Sequence, residues 1–193
     1  MQTKEKLLLE SMELFAAYGY EGTSMAKIAE KVGLKKSSLY AHYTSKETLF
    51  LDVTEKITNE YVHLIAQSID NNEQSSEKRL YQSFMIHVKD LVSDDASIQF
   101  YNRFVQYPPQ NLEKELFAYL ERSEEEALRI LVKEIENGQT VGEISKDLEA
   151  KQIAHTYFCL LEGLSNEIIF YDYPTLQHHA ERIWEVFWRG IRM

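Results

Sequence analysis

One cysteine, three prolines and seven glycines in 193 residues leave this chain short of the usual marks of a disulfide-framed or β-rich protein. Cys159, being alone, excludes an internal disulfide framework and fits a reducing compartment. No apolar run of about eighteen residues occurs, so no membrane span is expected. The start, MQTKEKLLLESMELF, sets acids inside its apolar stretch and lacks the uncharged core and cleavage site of a signal peptide. Cytoplasm is the expected compartment. There is no phosphate-cradling glycine loop, nucleophile elbow or paired-histidine metal motif, and therefore no cofactor or metal is expected. Arginine is also missing from the first third of the chain, the first being Arg79.

What is present is helical spacing. With 44% hydrophobic residues the chain can bury a substantial core, and no segment alternates with period two. The expectation is an all-α protein of about nine helices. A net charge of −10 argues against a polyanion partner when taken whole, but the charge is uneven. Residues 1–47 hold seven lysines against six acids and the remainder carries −11, so a mildly basic head precedes an acidic body.

Within that head, Thr3 to Tyr18 keeps Leu8, Met12 and Phe15 on one stripe, and Gly19 stands where a left-handed terminator belongs. Thr23-Ser24 then precedes Met25, Ile28, Ala29 and Val32, which fall on one helical face. Gly33-Leu34 makes a tight turn, and a short polar helix follows with Lys36, Ser37, Ser38, Tyr40 and His42 outside and Leu39 and Tyr43 inside. Two short helices joined through glycine, the second polar and basic, form a helix-turn-helix pattern. Thr44-x-x-Glu47 reads as the capping box of a fourth helix reaching about Ile69.

The stretch TSMAKIAEKVGLKKSSLYAHYTSKE resembles the DNA-binding signature of the tetracycline-repressor-like (TetR) family of bacterial transcriptional regulators. The resemblance implies a three-helix DNA-binding domain over 1–47 and a helical effector-binding and dimerisation domain over 48–193. It implies phosphate contacts from Thr23, Ser38, Tyr40, His42 and Lys46, and base-edge contacts from Ser24, Lys35, Lys36 and Ser37. Lys35 departs from the family, occupying the place of a small polar helix cap. Without arginine in the head, bidentate reading of guanine by that residue is excluded, so specificity should lean on dimer spacing and DNA shape. The implied partners are a palindromic double-stranded operator, an unidentified small-molecule effector and a second copy of the chain. The implied activity is repression.

In the body, helices are expected to about Ser93, over Ala96 to Gln106 before Pro108-Pro109, over Leu112 to Glu136 ending at Asn137-Gly138, over Leu148 to Tyr171, and from Pro174 onward. Aromatic residues and histidines there supply candidate pocket walls: Phe84, His87, Phe100, Phe104, Tyr107, Tyr119, His155 and Phe158. The last two helices carry more apolar surface than an exposed pair tolerates. Leu161, Leu164, Ile168, Trp184, Phe187, Trp188 and Ile191 are accordingly expected at a twofold four-helix interface, the alternative being plain protomer core. A non-catalytic helical adaptor would explain the packing but leaves the hydroxyl, lysine and tyrosine cluster unused. His155 and Cys159, four apart, are the best case for catalysis, yet a third ligand or orienting group is missing.

Overall fold

The computed structural model describes residues 3–70, 75–93 and 95–193. Among these the chain forms nine α-helices: α1 Thr3–Gly22, α2 Met25–Val32, α3 Lys36–His42, α4 Lys46–Ile69, α5 Ser76–Leu91, α6 Ala96–Gln106, α7 Glu113–Thr140, α8 Ala150–Glu167 and α9 Tyr173–Ile191. An isolated antiparallel bridge joins Ile144 to Arg192, and no strand forms among the described residues. Of the polar stretch expected to be a loop, residues 71–74 lie outside the described residues, as does Asp94.

The chain divides into two compact units, Met1–Tyr61 with Asp94–Ser123, and Val62–Ser93 with Glu124–Met193. Helices α4 and α7 each contribute a segment to both. In the first unit, the apolar stripes of α1 to α4 close on one core through Leu7, Phe15, Ile28, Leu39, Leu49 and Phe50. Phe100, Phe104, Leu112 and Leu116 complete that core from α6 and α7. The Phe50 ring meets Phe15 at 4.9 Å and Phe100 at 5.1 Å, distances at which tilted aromatic pairs add to simple burial.

The second unit packs α5, α8 and α9 with the remaining segments of α4 and α7. Leu80, Phe84 and Val88 of α5 are wholly buried, as are Leu131 and Ile135 of α7. Tyr157 of α8 is enclosed among them, its ring 5.4 Å from Phe84. Burial raises its phenol far above the ordinary value, an effect that Ser83 partly offsets. Trp184 and Trp188, one turn apart on α9, stack at 6.0 Å. Arg79 and Glu134 form an ion pair at 2.7 Å, with side chains only 12% and 9% exposed.

Several helix ends differ from the sequence expectation for identifiable reasons. Gly19 has φ +74 and ψ 175, so the chain kinks there and one more turn follows to Gly22. The box opening α4 is Ser45 with Thr48, displaced by one from Thr44 and Glu47: the Thr48 amide donates to Ser45 Oγ at 3.2 Å and the Ser45 amide to Thr48 Oγ1 at 3.4 Å. Helix α7 runs through Asn137-Gly138 to Thr140 instead of stopping. Gly138 serves close packing, since a Cβ there would lie 2.6 Å from Ile144 Cδ1, and the left-handed turn falls to Gly142 at φ +80. Helix α8 ends at Glu167, leaving Ile169 and Phe170 exposed in the turn to α9.

Candidate nucleic-acid interface

Helix α2 is capped by Ser24, whose Oγ accepts from the Lys27 amide at 3.3 Å. It ends at Gly33, which takes the left-handed conformation at φ +79 that other residues rarely adopt. The Gly33 amide donates to the Glu30 carbonyl at 3.1 Å and the Leu34 amide to that of Ala29 at 2.8 Å, closing the turn into α3. Helix α3 is then held chiefly by Leu39, the one buried residue among its seven, and by Tyr43 just after it. Tyr43 is buried and its hydroxyl donates to Asp52 Oδ2 at 3.0 Å. Burial, reinforced by that carboxylate, raises the Tyr43 phenol well above its usual range.

The outward side of α3 carries Lys36, Ser37, Ser38, Tyr40, Ala41 and His42, all exposed, with Lys35 ahead of them. Lys35 occupies the cap position and makes no side-chain cap hydrogen bond, as its aliphatic stem dictates. Lys36 Nζ lies 5.9 Å from the Tyr40 ring centre. Among the described residues neither Lys35 nor Lys36 has a carboxylate within ion-pair distance. The remaining lysines of the head are engaged. Lys31 pairs with Glu13 at 2.5 Å and Glu10 at 3.5 Å, and the hydrogen bond to Glu13 raises its pKa. Lys27 Nζ donates to the Gly22 carbonyl at 2.9 Å and Lys6 Nζ to that of Val32 at 3.0 Å, while Lys4 lies 3.4 Å from Asp52.

Two expected phosphate ligands are turned elsewhere. Thr23 is only 2% exposed, and its Oγ1 donates to the Gly19 carbonyl at 2.8 Å and the Leu14 carbonyl at 3.1 Å. Its side chain therefore brackets the end of α1, while Ser24 does the capping. Lys46 Nζ donates to the Tyr20 carbonyl at 2.8 Å and sits 3.8 Å from the centre of that ring, its side chain 20% exposed. Both residues fix the turn between α1 and α2. Ser24, Lys35, Lys36, Ser37, Ser38, Tyr40 and His42 remain together on the exposed surface of this unit.

The residues expected to line an effector pocket separate into three settings. Phe100, Phe104 and Tyr107 border a cavity of about 530 Å³ inside the first unit, together with Phe15, Tyr20, Phe50 and Arg103. Tyr119 is half-buried beside Arg122, whose guanidinium carbon lies 5.0 Å from its ring centre. Phe84, His87 and Phe158 belong to the second unit, where Phe84 and Phe158 fill its core and burial pushes the His87 imidazole down to about 4. His155 is exposed, with Nε2 3.7 Å from Cys159 Sγ. Sequence reasoning passed over Tyr20 and Arg103 as pocket residues, because nothing local joins Arg103 to Ala16, 87 positions earlier, whose carbonyl it binds.

The residues expected at a dimer interface lie mostly inside the protomer. Leu161, Leu164, Trp184, Phe187, Trp188 and Ile191 are buried within the protomer's own second unit, and Ile168 is half-buried. An amphipathic pattern identifies the covered side of a helix but not what covers it. The outer sides of α8 and α9 are formed by other residues, among them Thr156, Cys159 and Gly163, and Arg182, Val186 and Gly190.

The folded chain is thus an all-helical protein whose amino-terminal unit presents a helix-turn-helix. Residues 3–53 match the family described as bacterial regulatory proteins, tetR family, and residues 77–192 match the tetracyclin repressor-like C-terminal domain; the chain belongs to this family. It is 30% identical over 118 residues to the biofilm operon negative transcriptional regulator IcaR of Staphylococcus epidermidis, an alignment spanning 61% of each chain. It is 24% identical over 164 residues to the transcriptional repressor AcnR of Corynebacterium jeikeium, spanning 84% of this chain and 79% of that one. The fold is shared with the transcriptional regulator FadR of Bacillus subtilis, solved in complex with stearoyl-CoA, at a TM-score of 0.74 and 19% identity over 97% of this chain and 98% of that one. Among the described residues no helix is long and apolar enough to cross a membrane.

Proposed function

We propose that this protein is a cytoplasmic transcriptional repressor that binds a palindromic operator as a homodimer and is released by a small-molecule effector. Residues 1–47 act as the DNA-binding domain, and residues 48–193 carry dimerisation and effector response. The observation that supports this most directly is α3 itself, anchored by Leu39 with Tyr43 just after it and offering two lysines that have no carboxylate partner among the described residues, beside hydroxyls, a phenol and an imidazole. Such donors suit a phosphate backbone, and Lys36 and Ser37 suit base edges. Ser24, Ser38, Tyr40 and His42 extend the contact, while Thr23 and Lys46 act by holding the turn that orients α2. Repression is supported by the likeness to IcaR, a negative regulator, and AcnR, a repressor, and effector release by the stearoyl-CoA complex of a protein with the same fold.

Selection of random duplex DNA by the purified protein, followed by binding at two salt concentrations, tests this reading. Enrichment of a palindrome with affinity that falls steeply with salt is the expected result. No enrichment, with negligible binding at low salt, overturns it and favours the adaptor.

A further inference from the structure

The cavity in the first unit has a chemical character of its own. Six of its thirteen lining residues are aromatic, and Phe50 stands at the centre of their cluster, 4.9 Å from Phe15, 5.1 Å from Phe100 and 6.5 Å from Phe104. A space of about 530 Å³ with Phe15, Tyr20, Phe50, Phe100, Phe104 and Tyr107 on its lining suits an aromatic ring system. Two polar groups at its border keep hydrogen-bonding capacity to spare. The Tyr20 hydroxyl is buried yet makes no hydrogen bond of ordinary geometry, Asn111 and Glu47 being its polar neighbours, and burial pushes its phenol up to about 12. Among the described residues Arg103 donates through Nη1 alone, to the carbonyls of Ala16 at 2.7 Å and Ala17 at 3.1 Å.

The opposite edge of that guanidinium lies over Gly19, with Nε, Cζ and Nη2 between 3.2 and 3.5 Å from the point where a Cβ would stand. Glycine therefore provides the room for Arg103 as well as the positive φ. Among the described residues nothing accepts a hydrogen bond from Nε or Nη2. A planar donor pair of this kind matches a carboxylate. Glu21, the acid lining the rim, has a side chain 88% exposed, so water and salt screen its field, and Glu47, beside the Tyr20 hydroxyl, makes Arg103 the principal anchor of a carboxylate and Tyr20 the lesser one.

We propose that this cavity binds a planar aromatic carboxylate, its ring among the phenylalanines and its carboxylate on Arg103 and the Tyr20 hydroxyl, and that occupancy weakens DNA binding by moving the Gly19–Glu21 turn. The coupling half rests on the regulator reading. The same turn gives the Gly19 carbonyl to Thr23 and the Tyr20 carbonyl to Lys46, the residues that set the starts of α2 and α4. A ligand that fits one position of the turn better than another shifts the orientation of α2 by that difference in affinity.

Isothermal titration calorimetry of the full chain with β-naphthoate tests the site. Saturable binding of one molecule per chain is expected, weaker by about tenfold in Arg103→Gln, where the charge-assisted pair is lost. Tyr20→Phe should weaken it less. Asn111→Trp, an exposed rim position chosen to fill the cavity without disturbing the core, should abolish it. β-Naphthoate should release the selected duplex from the wild-type chain over the range in which it binds, and leave the duplex complex of Asn111→Trp intact. Absent saturable binding, or binding equal in wild type, Arg103→Gln and Asn111→Trp, overturns the site; if the duplex still binds, the regulator reading survives that failure. Binding of β-naphthoate by a chain that retains no affinity for any duplex overturns the coupling and the regulator reading while the ligand site stands.

Discussion

The two units settle their interior polar groups in different ways. In the first, cations and hydroxyls reach for backbone carbonyls: Lys6 takes that of Val32, Lys46 that of Tyr20, Thr23 those of Gly19 and Leu14, and Arg103 those of Ala16 and Ala17. These carbonyls lie in the last turns of α1 and α2, where a helix leaves acceptors unmatched and favours positive charge. In the second unit, Arg79 meets Glu134 as a largely enclosed ion pair, and burial disfavours the charged forms of His87 and Tyr157. The first arrangement fixes where short helices begin and end. The second makes stability depend on one carboxylate and on the protonation of one imidazole.

The sharpest test of that contrast is Glu134→Ala. It removes one member of a largely enclosed ion pair, leaving Arg79 its contact to Ser76 Oγ at 3.2 Å, and should cost about 3–5 kcal/mol in urea denaturation; a loss under about 1 kcal/mol would class the pair with solvated surface bridges. Next comes pH. Because burial lowers His87 from 6.5 to about 4, the unfolded chain binds the proton more readily between those values. The stabilisation is therefore complete above pH 6.5 and declines as pH falls through that window toward 4. The loss should be on the order of 3 kcal/mol at most, and His87→Leu should flatten this part of the stability profile. An unchanged profile would remove His87 as its source.

A smaller loss is expected from Thr23→Val, which removes hydrogen bonds to two carbonyls at the end of α1 and should cost about 1–2 kcal/mol. Its DNA affinity should keep the wild-type salt dependence; a shallower slope would restore Thr23 to the phosphate contacts. The least effect on stability, within about 0.5 kcal/mol, belongs to Lys36→Ala. There the logarithmic salt slope of DNA binding should fall by about one unit, and unchanged affinity with an unchanged slope would remove Lys36 from the interface.

The helices were legible in the sequence where local chemistry punctuates them. Pro108-Pro109 bounds α6, Pro174 opens α9, and Gly33 separates α2 from α3. The candidate reading surface was legible because α3 is short and nearly all of it is polar and exposed. What stayed hidden depends on partners distant in the chain. Thr23 has the spacing of a cap, but whether a hydroxyl faces its own helix or the preceding one depends on how α1 ends. Gly138 looks like a stop until Ile144 is seen to need its missing side chain. Phe84 and Phe104 are alike as letters, and only packing shows that one faces Tyr157 and Trp184 while the other borders a cavity.

Both tryptophans of the chain, Trp184 and Trp188, are the stacked pair on α9, so the first unit holds none. Intrinsic fluorescence excited at the red edge of indole absorption consequently observes the second unit alone, whereas far-ultraviolet circular dichroism sums the helices of both. The chain carries its own pair of optical channels. Melting curves that coincide in the two would mean the units unfold as one cooperative block, and curves that separate would time the loss of each unit without a label being attached.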